Sequence, residues 1–266
     1  MSNAATVFSC RTTTVGILAL LASAGRVTPQ APSSIDRAGQ LLAEAQATFV
    51  RVRDYTGTLI RQERIDGQLQ PEQFIDVRVR QQPYSVCLKW ISPRQLAGQE
   101  AIYIAGKNNN EIRAKGSGVL AVAGYVSLPT NDPRVMKKSR HAITETGIGN
   151  MLEVISRSFE VVRRLPASQV TVSFADYAFQ QRPCTRMELT HHVFNPQLYC
   201  HRCVVYVDKE LKLPVRVEVY DWPTPRGNPN GDLLECYSYT NLRFNLGLTD
   251  AALENPDRPV RQMVRS

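Results

Sequence analysis

Alternation of polar and apolar residues on both sides of the dipeptide Asp66-Gly67 is the feature that most constrains this fold. The stretch YTGTLIRQERIDGQLQPEQFIDVRVRQQPYSVCLKWIS, which begins at Tyr55, alternates in this way before and after that dipeptide. A period of two is typical of strands with one buried face, and Asp-Gly favours the positive φ angles of a two-residue hairpin turn. The sequence therefore predicts an antiparallel sheet in this region.

The rest of the chain supplies further strands and two helices. Apolar residues at three- and four-residue spacing predict amphipathic helices over 34–52, with Ser34 as the N-cap, and over 149–165. A second hairpin is predicted to turn at residues 106–110, where Gly and Asn tolerate positive φ. Other strands are predicted over 84–91, 170–174, 185–194, 203–207, 214–220 and 233–244. Antiparallel strands with helices set apart from them predict an α+β fold.

The N-terminus has the pattern of a secretory signal. Arg11 is the only charged residue before Arg26, and the apolar run VGILALLASAG is too short to span a bilayer. Small residues at 22–24 suit cleavage after Ala24, whereas the alternative is a buried N-terminal helix. We predict a signal peptide over 1–24, a linker over 25–33, one domain over 34–250 and a C-terminal tail over 251–266. Once the signal is cleaved, the protein is predicted not to span a membrane.

Charge and cysteine content narrow the possible partners. The chain carries 32 Lys and Arg against 24 Asp and Glu, a formal net charge of +8, but the basic residues are spread out and form no nucleic-acid motif. The five cysteines that remain after cleavage are Cys87, Cys184, Cys200, Cys203 and Cys236. Export permits disulfides among them, an odd count leaves at least one thiol without an intramolecular partner, and buried thiols are the alternative.

The run HHVFNPQLYCHRC, residues 191–203, holds the densest set of metal and thiol ligands. His192, His201 and Cys203 would share one face of a hairpin if Phe194 paired with Tyr199, but a slip of one residue separates the set. We favour an ordinary hairpin with surface histidines over a metal site. Strand alternation further predicts that the Cys200 and Cys203 side chains point to opposite faces.

No catalytic motif is present in the sequence. It lacks the nucleophile elbow, the zinc-protease helix, the phosphate-binding glycine loop and the dinucleotide fingerprint. Arg216, Glu218 and Asp221 are predicted to occupy exposed polar positions of a strand. We therefore predict a protein that is not an enzyme and needs no cofactor.

Four stretches carry a resemblance to a known family. They are YTGTLIRQERIDGQL, LKWISPRQLAGQEAIYIAGKNNNEI, VSLPTNDPRVMKKSRHAITETGIGNMLEVI and VYVDKELKLPVRVEVYDWP, which together cover most of residues 55–223. In these stretches the chain resembles exported bacterial proteins of the lipoprotein-carrier-like (LolA/LolB/RseB-like) superfamily, and more closely a domain of unknown function found in bacterial secreted proteins. The resemblance implies a strongly curved antiparallel half-barrel with two amphipathic helices packed on its concave side.

The resemblance also implies a function and a location. It implies a periplasmic or extracytoplasmic bacterial protein that binds an acyl chain, a lipid or a lipidated protein in an apolar concavity. The residues expected to line this concavity are Val86, Leu88, Trp90, Ile102, Ile104, Val215 and Val217. The alternative is an envelope sensor or scaffold that binds another envelope protein, in which these side chains form a solid core. A weaker alternative is a metal or thiol protein that uses His192, His201 and Cys203.

Overall fold

The computed structural model describes residues 33–260, so the predicted signal peptide and most of the predicted linker lie outside the described residues. The helices are α1 (Ser34–Phe49), α2 (Pro133–Met136), α3 (Ile148–Val162) and α4 (Asp250–Glu254). The strands are β1 (Asp54–Ile65), β2 (Gln68–Leu69), β3 (Gln73–Arg80), β4 (Ser85–Ser92), β5 (Glu100–Ile104), β6 (Ile112–Lys115), β7 (Tyr125–Leu128), β8 (Val170–Phe179), β9 (Arg182–His191), β10 (Arg202–Asp208), β11 (Pro214–Tyr220) and β12 (Leu233–Phe244). No helix in this part of the chain is both long and apolar enough to cross a membrane.

All twelve strands form one antiparallel sheet. Its order is β7-β6-β5-β4-β3-β1-β12-β11-β10-β9-β8, and β2 pairs with β1 outside this path. The sheet is curved and open, since β7 and β8 are its edges and do not pair with each other. Asp66 and Gly67 form the turn between β1 and β2 with φ angles of 49° and 76°, as the sequence predicts. The predicted α+β fold is confirmed.

Helices α1 and α3 pack against the same face of the sheet. α1 begins one residue after its N-cap, Ser33, whose hydroxyl accepts a hydrogen bond from the Asp36 amide; the predicted cap, Ser34, is the first helical residue. Ala38 and Ala45 are buried on α1, and their small side chains let the helix pack closely against its neighbours. The apolar face of α3 is buried in the same core as α1 and strands β8 to β11.

The N-terminus of α3 is fixed to the middle of the sheet. The backbone amide of Ile148 donates to the Tyr55 hydroxyl at 2.8 Å, and the amide of Gly147 donates to the Tyr239 hydroxyl at 3.1 Å. These two tyrosines, from the adjacent strands β1 and β12, satisfy amides that a helix cannot bond internally. Gly147 has φ of 119°, a value that side-chain-bearing residues rarely adopt.

The C-terminal segment covers the opposite face of the sheet at strands β4 and β5. The carboxylate of Asp54 accepts backbone hydrogen bonds from Leu246, Gly247 and Leu248, which directs the chain back across the sheet. Leu253 of α4 is fully buried there and packs in one cluster with Cys87. The described part of the predicted tail over 251–266 includes most of α4.

Candidate ligand-binding cavity

A cavity of about 600 Å³ lies between α3 and the face of the sheet that α3 covers. Most of its wall is apolar, formed by Leu42, Leu59, Leu88, Met151, Val154, Ile155, Phe159, Val161, Val162, Met187, Leu189, Val205, Val217 and Val219. This volume lies within the range of small-molecule sites, which are concave and mostly apolar with a few polar groups. This cavity is therefore the candidate ligand-binding site.

The structure divides the seven side chains expected to line the concavity into three groups. Leu88 and Val217 line the cavity. Val86 and Trp90 lie on the same face of β4 as Leu88 and are buried in the adjoining apolar cluster, but they are not part of the cavity wall. The Trp90 indole N–H donates to Gln73 Oε1 at 2.7 Å.

Ile102 and Ile104 lie on the other face of the sheet. Ile102 pairs with Cys87, and directly paired residues of an antiparallel ladder share a face, so both point away from Leu88. Ile102 and Ile104 are buried under α4 with Leu253. Strand β5 carries apolar side chains on both faces, since the C-terminal segment buries its outer face as well. These two residues therefore leave the set of cavity candidates.

Val215 leaves the set for a different reason. On β10, Tyr206 pairs with Arg216 and the next residue, Val207, pairs with Pro214, which makes Val215 the extra residue of a β-bulge. The bulge interrupts the alternation along β11, so Val215 packs on the outer face in one cluster with Tyr206, while Val217 faces the cavity.

One end of the cavity is polar, and strands β1 and β12 carry it. Three cross-strand pairs run along this ladder: Leu59 with Tyr239, Arg61 with Tyr237, and Glu63 with Glu235. All six side chains line the cavity, so its wall changes from apolar to charged along two neighbouring strands. Glu63 and Glu235 are only 3% and 4% exposed.

The loop before α3 completes this polar end. Oε2 of Glu235 accepts hydrogen bonds from Arg140 Nε at 2.9 Å, His141 Nε2 at 3.0 Å and the Tyr199 hydroxyl at 3.1 Å. Oε1 of Glu63 accepts from the Tyr237 hydroxyl. The hydrogen bond to Glu235 is the main cause that raises the pKa of His141 above its ordinary value. Burial of two carboxylates side by side is thus offset by donors from the loop and from neighbouring strands.

The guanidinium of Arg61 links the carboxylate of Glu63 to the neighbouring strand β3 and to the loop before α3. Its Nη1 donates to the Ser139 hydroxyl at 3.1 Å and its Nη2 donates to Gln73 Oε1 at 2.8 Å. Its Nε lies 3.8 Å from Oε2 of Glu63 and makes no hydrogen bond with any described residue.

The cluster of histidines and cysteines at residues 191–203 does not form a metal site in the structure. Thr190 pairs with Arg202, so His191 stands opposite His201, one residue away from the register that would have grouped the predicted ligands. His192 is exposed and lies 2.7 Å from the Thr171 hydroxyl, whereas His201 packs against Trp222. Among residues 33–260, no three His, Cys, Asp or Glu side chains are grouped as metal ligands.

All five described cysteines are free thiols. Cys200 and Cys203 both line the cavity, contrary to the prediction that they face opposite sides, because β10 begins only at Arg202 and Cys200 belongs to the preceding loop. Burial raises the pKa of Cys200 to about 12, and it also raises the pKa of Cys203 well above its ordinary value. These thiols are therefore protonated at neutral pH and lack the reactivity of a thiolate.

The polar end of the cavity was not predicted from the sequence. The sequence does contain a local signal for the β1 side of the polar end. Arg61 and Glu63 follow the apolar Leu59 at every second position along β1 and so share its buried face. The other side depends on the pairing of β1 with β12, whose residues are more than 170 positions away in the chain. The loop donors Arg140 and His141 carry no periodic signal at all.

The family model described as "Protein of unknown function (DUF1571)" matches residues 52–259. Among solved structures, the chain is similar to an uncharacterized conserved protein from Thermus thermophilus, with 12% identity, a TM-score of 0.46, and coverage of 85% of this chain and 97% of that one. It is similar to the Mycobacterium tuberculosis lipoprotein LppX, with 12% identity, a TM-score of 0.42, and coverage of 77% and 95%. It is also similar to a LolA superfamily protein from Nitrosomonas europaea, with 9% identity, a TM-score of 0.34, and coverage of 82% and 98%. No curated protein sequence matches the chain. The family model confirms the resemblance, predicted from the sequence, to a domain of unknown function.

Proposed function

The chain belongs to the DUF1571 family of proteins of unknown function, and from this premise we propose that it is a non-enzymatic binding protein for acyl chains. Its ligand is an acyl chain, a lipid or the acyl group of a lipidated protein, held in the cavity beneath α3. We further propose that it acts in the periplasm or another extracytoplasmic compartment, which follows from the signal peptide predicted over 1–24.

The apolar cavity is the single observation that carries this proposal. Its wall consists largely of aliphatic side chains from α3 and strands β9 to β11, and its volume is about 600 Å³. Removal of hydrocarbon from water gains about 0.8 kcal/mol per methylene. A sixteen-carbon chain would thus gain on the order of 10 kcal/mol before the costs of ordering are subtracted.

Helix α3 borders the entrance to the cavity. Val154, on the outward side of α3, lines the cavity and is 53% exposed, so the cavity is open to solvent at this point. We propose that a ligand enters beside this residue.

Mass spectrometry of the mature chain, purified from an exporting host, tests the proposal first. Spectra recorded under native and then denaturing conditions reveal any lipid that co-purifies. A titration with a neutral fluorescent acyl probe follows, using Val217→Phe to fill the cavity and Val50→Asp, at an 84% exposed position outside the cavity wall, as the control. The expected result is weaker binding only to Val217→Phe. A wild-type chain that carries no lipid and does not bind the probe would contradict the proposal.

A second candidate function, the binding of an envelope protein, is favoured by one exposed surface. The loop between β6 and β7 holds the 3₁₀ segment Gly118–Ala123, in which Val119 and Val122 are each 88% exposed and Leu120 is 72% exposed. Grouped exposed aliphatic side chains often mark protein interaction sites. A pull-down in which Val119→Asp loses a partner that Val217→Phe retains would support this function, and equal capture by both variants would argue against it.

A further inference from the structure

We propose that the polar end of the cavity selects acyl ligands whose head group donates hydrogen bonds, and that it rejects ligands with an anionic head. This inference rests on the proposed function and specifies the chemical class of its ligand. The selecting groups are Glu63 and Glu235, the paired carboxylates of β1 and β12.

Each of the two carboxylates keeps one oxygen without a hydrogen bond. All three bonds to Glu235 end at Oε2, and all bonds to Glu63 end at Oε1. Among residues 33–260, Glu235 Oε1 has no partner, and Glu63 Oε2 has only the 3.8 Å ion pair with Arg61. Neither free oxygen is sealed from solvent, and both side chains line the cavity. Two acceptors on nearly buried side chains therefore open onto the space where a ligand would lie.

Such an arrangement is not what stability alone would favour. Like charges directly opposite each other on a sheet destabilise it. A ligand that displaces solvent from the two free oxygens must also supply hydrogen-bond donors to them, because an acceptor buried without a donor costs free energy. Hydroxyl groups, amide N–H groups and protonated amines all meet this requirement.

The charge balance at this end disfavours an anionic head group. The carboxylates that face it are Glu63, Glu235 and Glu145, whereas the permanent cations are Arg61 and Arg140. His141 lies between two of the carboxylates, since its Nδ1 is 3.1 Å from Glu145 and its Nε2 is 3.0 Å from Glu235. With His141 protonated the cluster is neutral, and with His141 neutral it carries one net negative charge. No excess positive charge is available to hold a carboxylate or phosphate.

The test compares three ligands that share a sixteen-carbon chain, at pH 8, in competition with a neutral fluorescent acyl probe. Monopalmitoylglycerol donates through uncharged hydroxyls, hexadecylamine donates through a cationic head, and palmitate presents an anionic acceptor. At least one of the two donor ligands is expected to bind at least tenfold more tightly than palmitate, and their relative affinities distinguish a hydroxyl head from an amine head. Palmitate that binds as tightly as both donor ligands would overturn this inference and leave the acyl-binding function standing. Failure of all three ligands to bind would overturn the proposed function as well.

The variant Glu235→Gln connects the selectivity to this site. It keeps an acceptor for Arg140 and Tyr199 but removes the negative charge, so palmitate is expected to gain affinity and the ratio between the ligands to shrink to about threefold or less. Glu63→Gln provides a second, independent substitution if Glu235→Gln unfolds. Glu160→Gln, at an exposed position of α3 outside the cavity wall, is the matched control and should leave the ratio unchanged. An unchanged ratio in both carboxylate variants would overturn the assignment of selectivity to this pair.

Discussion

The hydroxyl of Tyr55 accepts a hydrogen bond from the backbone amide of Ile148 at 2.8 Å. The bond joins the central strand β1 to the first turn of α3, the helix that covers the cavity. Tyr55 is fully buried, and burial raises its pKa well above the ordinary value, so the hydroxyl is protonated at neutral pH. Together with the hydrogen bond from the Gly147 amide to the Tyr239 hydroxyl, this contact couples the sheet to the position of the helix.

Replacement of Tyr55 by Phe should destabilise the protein by about 1–3 kcal/mol, because the Ile148 amide is left buried without an acceptor. Urea unfolding measures the loss. Tyr177→Phe is the control, since that ring is half exposed and its hydroxyl makes no hydrogen bond with any described residue. A loss below about 0.5 kcal/mol for Tyr55→Phe would show that water satisfies this amide.

Gly149 is predicted to be the one position in the first turn of α3 that cannot carry a side chain. A Cβ placed there would lie 2.4 Å from Cε1 of Phe49, the last residue of α1. Gly149→Ala should therefore cost about 1–3 kcal/mol, although alanine favours helix formation. Gly39→Ala is the matched control, since its Cβ would contact the Phe159 ring at an ordinary 3.4 Å, and this change should be neutral or stabilising.

A double-mutant cycle separates crowding from other effects of Gly149→Ala. Phe49→Leu removes the ring that the new methyl group would meet. If crowding is the cause, Gly149→Ala will cost much less in the Phe49→Leu background than in the wild-type chain. Equal costs in the two backgrounds would mean that the glycine is required for another reason.

The elements predicted correctly are those that short segments determine by themselves. The turn at Asp66-Gly67 and the spacing of apolar residues in α1 and α3 depend on neighbours within four positions. The faces of individual strands were predicted less well. Ile102 was predicted to line the concave face, but it lies on the outer face. The apolar character of this outer position is explained by its packing against Leu253, which is distant in the sequence.

The polar end of the cavity could not be predicted from local pattern. Glu63 and Glu235 meet only because the first and last long strands pair in the middle of the sheet. The metal hypothesis failed for a related reason, since a register shift of one residue separates His192 from His201, and a sequence pattern does not determine register to that accuracy.

Attachment of the loop before α3 should depend on pH through His141. Its hydrogen bond to Glu235 raises its pKa above the ordinary value near 6.5, so the folded state binds the proton more tightly than the unfolded state. The resulting stability is fully present below the unfolded pKa and is lost as pH rises through the folded pKa. His141→Gln should therefore destabilise the protein more at pH 5.5 than at pH 9. Urea unfolding at both pH values measures this, with the exposed His192→Gln as control, and a difference that is constant with pH would contradict the prediction.

Val215 and Val217 lie two residues apart on one strand and provide a matched test of the cavity itself. Simple alternation would put both side chains on the same face, but the bulge turns Val215 into the tightly packed outer cluster while Val217 borders open space. Val217→Phe should therefore change the free energy of unfolding by less than about 1 kcal/mol, whereas Val215→Phe should cost about 1–3 kcal/mol because the extra atoms have no room. Urea unfolding of the two variants compares them directly. If both substitutions cost the same, the space beside Val217 is filled in solution, and if only Val215→Phe is destabilising, that space is open and large enough for an aromatic ring.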